Sequence, residues 1–396
     1  MLPNLRTAFN ASWTVAKYRD LIRRLEHRTG ATLEFPISET PCFFPRSLME
    51  SLAETGVTLL DQLLNSPDAM AQADAVVPER YQGISAEAIP TFAQVDFGLV
   101  RDAHGKVTPK LVELQAFASL YGFQLAMAEA YRDAFDLSPS LQLYLDGLTH
   151  DQYYELAANA IVGDHDPAEV VLMEIQPHQQ KTWPDFVVTE QMWGVRAVDI
   201  SEVKREGRRL YYRRDGKATQ IKRIYNRVIP DELERKRLQL PFGYGDELEV
   251  SWAGHPAWYF RISKFSIPFL NHPSVPETWF LDGIEQLPID RDRYLLKPLF
   301  SFAGGGIIFA PTDAQIAAIP RDERANYILQ ERIQFDPVIE TPEGPTQAEI
   351  RIMYVRDAAR LRPVLPLVRL GRGRMMGVDH NKGLRWVGAS AGFIAG

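Results

Sequence analysis

A chain of 396 residues, 45% hydrophobic and 24% charged, is long enough for two or three packed units and has the makeup of a globular protein. Its 51 acidic residues outnumber 44 basic ones, and the net charge of −7 argues against a general nucleic-acid binder. No apolar run approaches the length of a membrane-crossing helix, the N-terminus lacks a secretory layout, and the single cysteine, Cys42, excludes an internal disulfide framework, so a reducing cytoplasm is the expected setting.

The first segment reads as mainly helical. WTVAKYRDLIRRLEHRTG (13–30) has apolar residues at helical spacing and closes on a glycine, and SLMESLAETGVTLLDQLLNS (47–66) continues the pattern. Between them Cys42, in PCFFP, reads as packing. AQVDFGLV (93–100) and PKLVELQAF (109–117) predict a hairpin about a glycine-containing turn. Helices resume over 120–135 and 151–163. The composition changes at Asp164-His165-Asp166-Pro167. VVLMEI and VRAVDI then predict buried strands, and GRRLYYRRDGKATQIKRIYNRVI predicts a hairpin about Asp215-Gly216 plus a further strand, together a small α/β unit near 165–250.

Beyond it, ISKFSIPFL predicts a short helix and ETWFL a strand. LLKPLF and IIFAP flank the run AGGG, which holds Gly304, Gly305 and Gly306, and predict a hairpin with a glycine-rich turn. The order of residues excludes two common phosphate loops. Lys297 precedes the glycines instead of following them, and a strand, not a helix, comes after. An ordinary hairpin and a phosphate-covering flap both fit. NYILQERI, EIRIMYVR and RPVLPLVRL read as strands of one sheet, and the glycine-rich end, 372–396, as loop with short strands. Within it, GASAG matches the serine-hydrolase pattern G-x-S-x-G, but no acid and histidine follow it in the chain, so that reading is rejected.

Residues two apart on a strand share a face, so Glu113 and Gln115 point one way and Val112 and Leu114 the other, with Asp96 on the partner strand able to face the polar pair. Two carboxylates and a carboxamide are hard oxygen ligands of the kind Mg²⁺ takes; a solvated polar face is the plainer alternative. Lys264 stands at a helix start, and Lys297 and Arg351 stand inside apolar strands, where a cation needs an anion or a path to water. Arg351 shares a strand face with Glu349, which allows a purely structural pair. The strand through Gln330, Glu331 and Ile333 resembles a linker between two lobes whose backbone can bond an adenine edge.

The order of these pieces resembles the ATP-grasp superfamily in its circularly permuted form, the glutathionylspermidine-synthetase-like branch. Lys264, Lys297, the glycines, Gln330-Glu331-Arg332-Ile333 and Glu349-Ile350-Arg351 follow the family order, while Asp96 and Glu113-Leu114-Gln115, similar to its metal-ligand strands, stand at the front of the chain. YNRVIPDEL, with Arg227 and Asp231, resembles the segment closing the family's small domain. The resemblance reaches from about residue 90 to the end and implies an α+β fold. It divides the chain into 1–163, a permuted part of the ATP-grasp domain; 164–258, a small α/β domain; 259–334, the nucleotide lobe with its flap; and 335–396, the rest of the C-terminal lobe. It implies ATP on Lys264, Lys297, Gly304–Gly306, Gln330, Glu331 and Ile333; Mg²⁺ on Asp96, Glu113 and Gln115; and catalysis by Lys297 and Arg351. The implied reaction activates a small-molecule carboxylate as an acyl-phosphate and couples it to an amine or thiol. An ATP-binding protein without ligase activity and a small-molecule kinase are the alternatives. Gln115 and Asn226 depart from the family pattern, which has asparagine and arginine there. His178, His380 and Asn381 are further polar candidates for substrate contact, each with a plain structural alternative.

Overall fold

The polar-apolar alternation of the front hairpin is built into a larger sheet. The computed structural model describes residues 1–83, 87–301, 305–377, 381 and 383–396. Strands β2 (Phe92–Arg101) and β3 (Val107–Gln115) pair antiparallel across a turn in which Asp102 Oδ1 accepts from the His104 and Lys106 N–H groups and Gly105 takes φ 77°. On the other side of β2 lies β15 (Gln347–Asp357), followed by β16 (Arg360–Gly371) and β17 (Gly388–Ala395), all antiparallel. β1 (Cys42–Pro45) closes the order β1-β17-β16-β15-β2-β3 by pairing parallel to β17. One six-stranded sheet thus interleaves strands from the two ends of the chain.

Period two splits this sheet into two faces. Val95, Phe97 and Leu99 of β2 and Ile350, Ile352 and Tyr354 of β15 enter one apolar core with helix α3 (Arg46–Leu64). The opposite face is apolar only at one end, where Phe92, Met353 and Val355 join Leu21 and Leu25 of α2 (Val15–Thr29), Met127 and Tyr131 of α5 (Tyr121–Phe135) and Tyr153 of α6 (His150–Ile161). Further along, the same face carries Gln94, Asp96, Glu349, Arg351 and Arg369. Helix α1 (Pro3–Ser12) precedes α2, and α4 (Pro67–Ala75) follows α3, so the helical reading of the first segment holds.

Residues 170–253 hold the small α/β unit. β4 (Val170–Glu174), β5 (Arg196–Asp199), β9 (Arg223–Asn226) and β10 (Ser251–Ala253) form a parallel sheet in the order β10-β9-β4-β5, and helix α7 (Trp183–Trp193) crosses from β4 to β5. The strand order reverses between β4 and β9. β6 (Lys204–Glu206), β7 (Arg209–Arg214) and β8 (Lys217–Ile221) form a separate antiparallel meander. Its β7–β8 turn has φ 51° at Asp215 and 81° at Gly216, the paired positive values that a two-residue hairpin with right-twisted strands needs.

The last sheet runs β11-β14-β12-β13, from β11 (Thr278–Phe280), β12 (Tyr294–Pro298), β13 (Ile308–Phe309) and β14 (Tyr327–Glu331). The hairpin of LLKPLF and IIFAP is therefore present as β12 and β13. At its turn Gly306 has φ 72°, and a Cβ there would come within 2.8 Å of Pro298 Cγ, so glycine is required. Gly304 lies outside the described residues.

Three expectations are corrected. NYILQERI does not join EIRIMYVR and RPVLPLVRL: β14 pairs with β11 and β12, and residues 332–346 carry the chain to the six-stranded sheet. The glycine-rich end holds a long strand, β17, whose GASAG backbone is paired on both edges and whose Ser390 hydroxyl donates to the Thr40 carbonyl. Val112 does not oppose Glu113 in the core. A bulge between Asp96 and Phe97 sets Glu113 opposite Asp96 and Leu111 opposite Phe97, so Leu111 and Leu114 fill the core and Val112 is the extra residue.

Candidate functional site

The polar half of the six-stranded sheet forms the floor of the site. Asp96 is 1% exposed and takes a bidentate pair from Arg351, Nε to Oδ1 and Nη2 to Oδ2, each at 2.6 Å. A second guanidinium, from Arg369 of β16, donates to the same Oδ2 at 2.6 Å and also to Glu349 Oε1. Glu349 and Arg351 do share a face, as the spacing predicts, but Glu349 pairs with Arg369 across the strand register. Glu113 lies opposite Asp96, with Oε1 at 4.0 Å from Arg351 Nη2. The Gln115 amide is best satisfied turned end for end, its oxygen accepting from Arg351 Nη2 at 2.8 Å. Asp96, Glu113, Gln115 and Arg351, separated by up to 255 positions, therefore meet as one group.

Above this floor stand the lysines. β12 alternates Leu296 into the small core beneath the flap and turns Lys297 the other way. Its Nζ donates to Gln330 Oε1 on the adjacent β14 at 2.5 Å, and Gln330 Nε2 in turn donates to Thr278 on β11. Lys264 begins a 3-10 helix capped by the Ser263 hydroxyl, and its Nζ donates to the Ser301 carbonyl at 2.6 Å. Both lysines are buried, at 8% and 6% exposure, and both feel the Glu113 carboxylate.

Electrostatics follow from burial and these neighbours. Desolvation pushes the Lys297 ammonium down to about 8, with Glu113 opposing and Lys264 adding to the fall. Lys264 is lowered for the same reason, opposed by Glu113 and by Asp231, in the first turn of α8 (Pro230–Lys236). Burial raises Glu349 to about 7 against the pull of Arg369. Burial would raise Asp96 as well, but Arg351 and Arg369 together hold it below the usual carboxylate value. Among the described residues, two buried lysines bonded to a carbonyl and an amide oxygen, beside an aspartate already committed to two arginines, make a site able to take an anion.

The chain's similarity to known proteins is structural. It is similar to a glutathione synthetase-like effector from Globodera pallida, solved in its apo form, at a TM-score of 0.55 over 96% of this chain and 98% of that one. The two share 12% of their residues, so the likeness is one of fold alone. No protein-family model matches the chain, and no curated protein matches it in sequence. The α+β reading holds, and the chain shares its fold with that effector.

The remaining candidates separate. Gly305 and Gly306 lie at the flap turn, exposed. The Glu331 N–H bonds the Glu277 carbonyl and its carboxylate bonds Arg293, so neither faces the lysines; Ile333 lies just past β14. Arg227 is buried against Asp185 at 2.5 Å, and Asp231 pairs loosely with Arg235. Asn226 is 2% exposed, and its Oδ1 has no partner among the described residues. The ring of His178, on the surface, packs against Trp183. The Asn381 amide is fully used on the Arg372 and Gly373 N–H groups and the Met375 and Gly377 carbonyls, so it clamps a loop; His380 lies outside the described residues. An open cleft of 750 Å³ beside Val203, Arg205 and Pro241 contains none of these groups. Its polar lining lacks the converging buried charges of the sheet floor, which is the better candidate.

Sequence reasoning missed Arg369 and Gln94. Arg369 carries the signal that flagged Arg351, a lone arginine in an apolar strand, RPVLPLVRL. Gln94 lies two positions before Asp96 and so shares its face.

Whether the residues suit the expected Mg²⁺ can be tested on the donor set. Both Asp96 oxygens and the Gln115 oxygen face arginine nitrogens, and among the described residues no group of three or more His, Cys, Asp or Glu side chains is arranged to hold an ion. As folded, the set does not fit a divalent cation. Among the same residues no helix is long and apolar enough to cross a membrane.

Proposed function

We propose that the chain is an ATP-dependent ligase of the ATP-grasp type, circularly permuted, that joins a small-molecule carboxylate to an amine or thiol in the cytoplasm. The single observation that carries this reading is the grouping of Asp96, Glu113 and Arg351 with Lys264 and Lys297, both of which feel the Glu113 carboxylate, in a fold shared with a glutathione synthetase-like protein. In this reading Lys264 and Lys297 grip phosphate oxygens and the turn through Gly305 and Gly306 covers them. The substrate carboxylate attacks the γ-phosphorus, and ADP leaves. The amine or thiol then attacks the acyl carbon, loses its proton, and expels phosphate. Arg351, fixed by Asp96, offers its remaining donor edge to the developing negative charge. No step is assigned to magnesium, because Asp96 and Gln115, two of its three expected ligands, are committed to arginines.

The experiment is ATP-induced thermal stabilisation, followed by ADP release with pools of amino acids and peptides. Turnover requiring both a carboxylate and an amine or thiol supports the ligase. Phosphorylated product without amide or thioester supports a kinase. Stabilisation without turnover on any pool supports a nucleotide-binding protein, a reading that the commitment of Asp96 to two arginines favours. Within the ligase reading, Glu113→Ala is expected to keep nucleotide binding and lose turnover; near-normal ADP release from that variant would remove Glu113 from the chemistry.

A further inference from the structure

The donor set and the expected ion disagree, and the disagreement has a physical consequence. A divalent ion on Asp96 would have to displace at least one guanidinium from a carboxylate that is 1% exposed. The displaced group would be Arg351, which also holds Gln115, or Arg369, which also holds Glu349. Either departure leaves a buried guanidinium short of its anion. The ion itself would sit beside the remaining arginine, a like-charge contact inside the protein. Glu113 is the one acid of the expected set not in direct hydrogen bond to an arginine, and one carboxylate does not make an all-protein site for Mg²⁺.

The cations present already do what the ion would do for a phosphate chain. Among the described residues, Lys264, Lys297, Arg351 and Arg369 stand against Asp96, Glu113, Glu349 and, beside Lys264, Asp231, so the charges balance with every carboxylate ionised. Burial raises Glu349 to about 7, which leaves positive charge in excess near and below neutral pH.

We propose that the site binds the phosphate chain of its nucleotide without a divalent ion, Arg351 and Arg369 on Asp96 standing where the metal is expected. This rests on the nucleotide reading above. Free ATP and inorganic tripolyphosphate carry the full charge of the chain and suit four cations better than a magnesium complex, whose charge is already half-neutralised.

The test is calorimetric titration of the full chain with ATP, and separately with tripolyphosphate, in EDTA and in excess MgCl₂. The expected result is binding of both ligands in EDTA, no weaker than with magnesium. Arg369→Gln, which removes one cationic partner of Asp96 while keeping a polar side chain, is expected to shift the preference toward magnesium. ATP binding about tenfold or more tighter with magnesium in the parent chain, a difference of about 1.4 kcal/mol, overturns the proposal. Failure of a folded chain, checked by its melting transition, to bind either ligand in either buffer removes the nucleotide reading itself. That outcome is distinct from binding that depends on magnesium.

Discussion

Two buried aspartate–arginine pairs, built from the same chemistry, do different work. Asp185 and Arg227 join the small α/β unit to the helical layer. Asp185 takes Arg227 at 2.5 Å and also accepts from the N–H groups of Leu120, Gly122 and Phe123, where helix α5 begins. Arg227 in turn lies over Phe186 and Phe117. Every partner there is backbone or core, so the pair fastens parts of the fold together. Asp96 has no helix to cap. Its partners are Arg351 and Arg369, whose other neighbours include Glu113, Gln115 and Glu349. The first pair is surrounded by core and backbone, whereas the second is surrounded by further charged groups, which is the difference that the proposed ligand role rests on.

That contrast can be broken most directly by stability. Asp185→Ala strands a buried guanidinium and uncaps α5, so a loss of about 3–5 kcal/mol is expected in urea unfolding. Asp96→Asn is expected to cost clearly less, because Glu113 and Glu349 remain beside the arginines. Equal losses would make both pairs structural. Next in size is Lys297→Ala, which removes a charge-assisted bond of about 1.5–3 kcal/mol to phosphate and is expected to weaken ATP binding by about 10- to 100-fold in calorimetry, with the fold intact. Unchanged affinity would take Lys297 out of the site.

A smaller effect is expected from pH. Glu349 gains its negative charge as pH rises through about 7, and Lys297 loses its positive charge as pH rises through about 8. Both changes repel an anion, so ATP affinity is expected to fall steadily from below 7 to above 8; a rise over that range would contradict the assignment. In the free protein the sign is opposite for stability at Lys297. Its lowered value means that the unfolded chain binds the extra proton between about 8 and the ordinary lysine value of 10.5, so its contribution to stability rises with pH there. The least effect is expected from Arg293→Ala, an exposed partner of Glu331 outside both clusters: no resolvable change in melting or in ATP binding.

Much of this was legible in the chain. Helical spacing in residues 13–30 and 47–66, alternation in β2 and β3, and the Asp215-Gly216 turn each fix local structure by short-range sterics and solvent contrast, which sequence displays directly. The positions of Lys264, Lys297, Asp96, Glu113 and Arg351 stood out because charges inside apolar strands need partners. Their grouping in space could be anticipated only by resemblance. The location of β14 in a separate sheet was hidden, since a strand does not reveal its neighbour. So was the strand character of GASAGFIA, whose small residues carry a weak pattern until β1 and β16 flank them.

The sequence by itself determined the element types, the polar side of β2 and β3, and the cations that had to find anions. Tertiary structure alone decided which anions they found. Arg351 took Asp96 instead of its strand-mate Glu349, and Arg369 bridged both, because pairing across β2, β15 and β16 brings residues more than 250 positions apart within hydrogen-bond reach. Charge partnership depends on distance in space, which chain order does not encode.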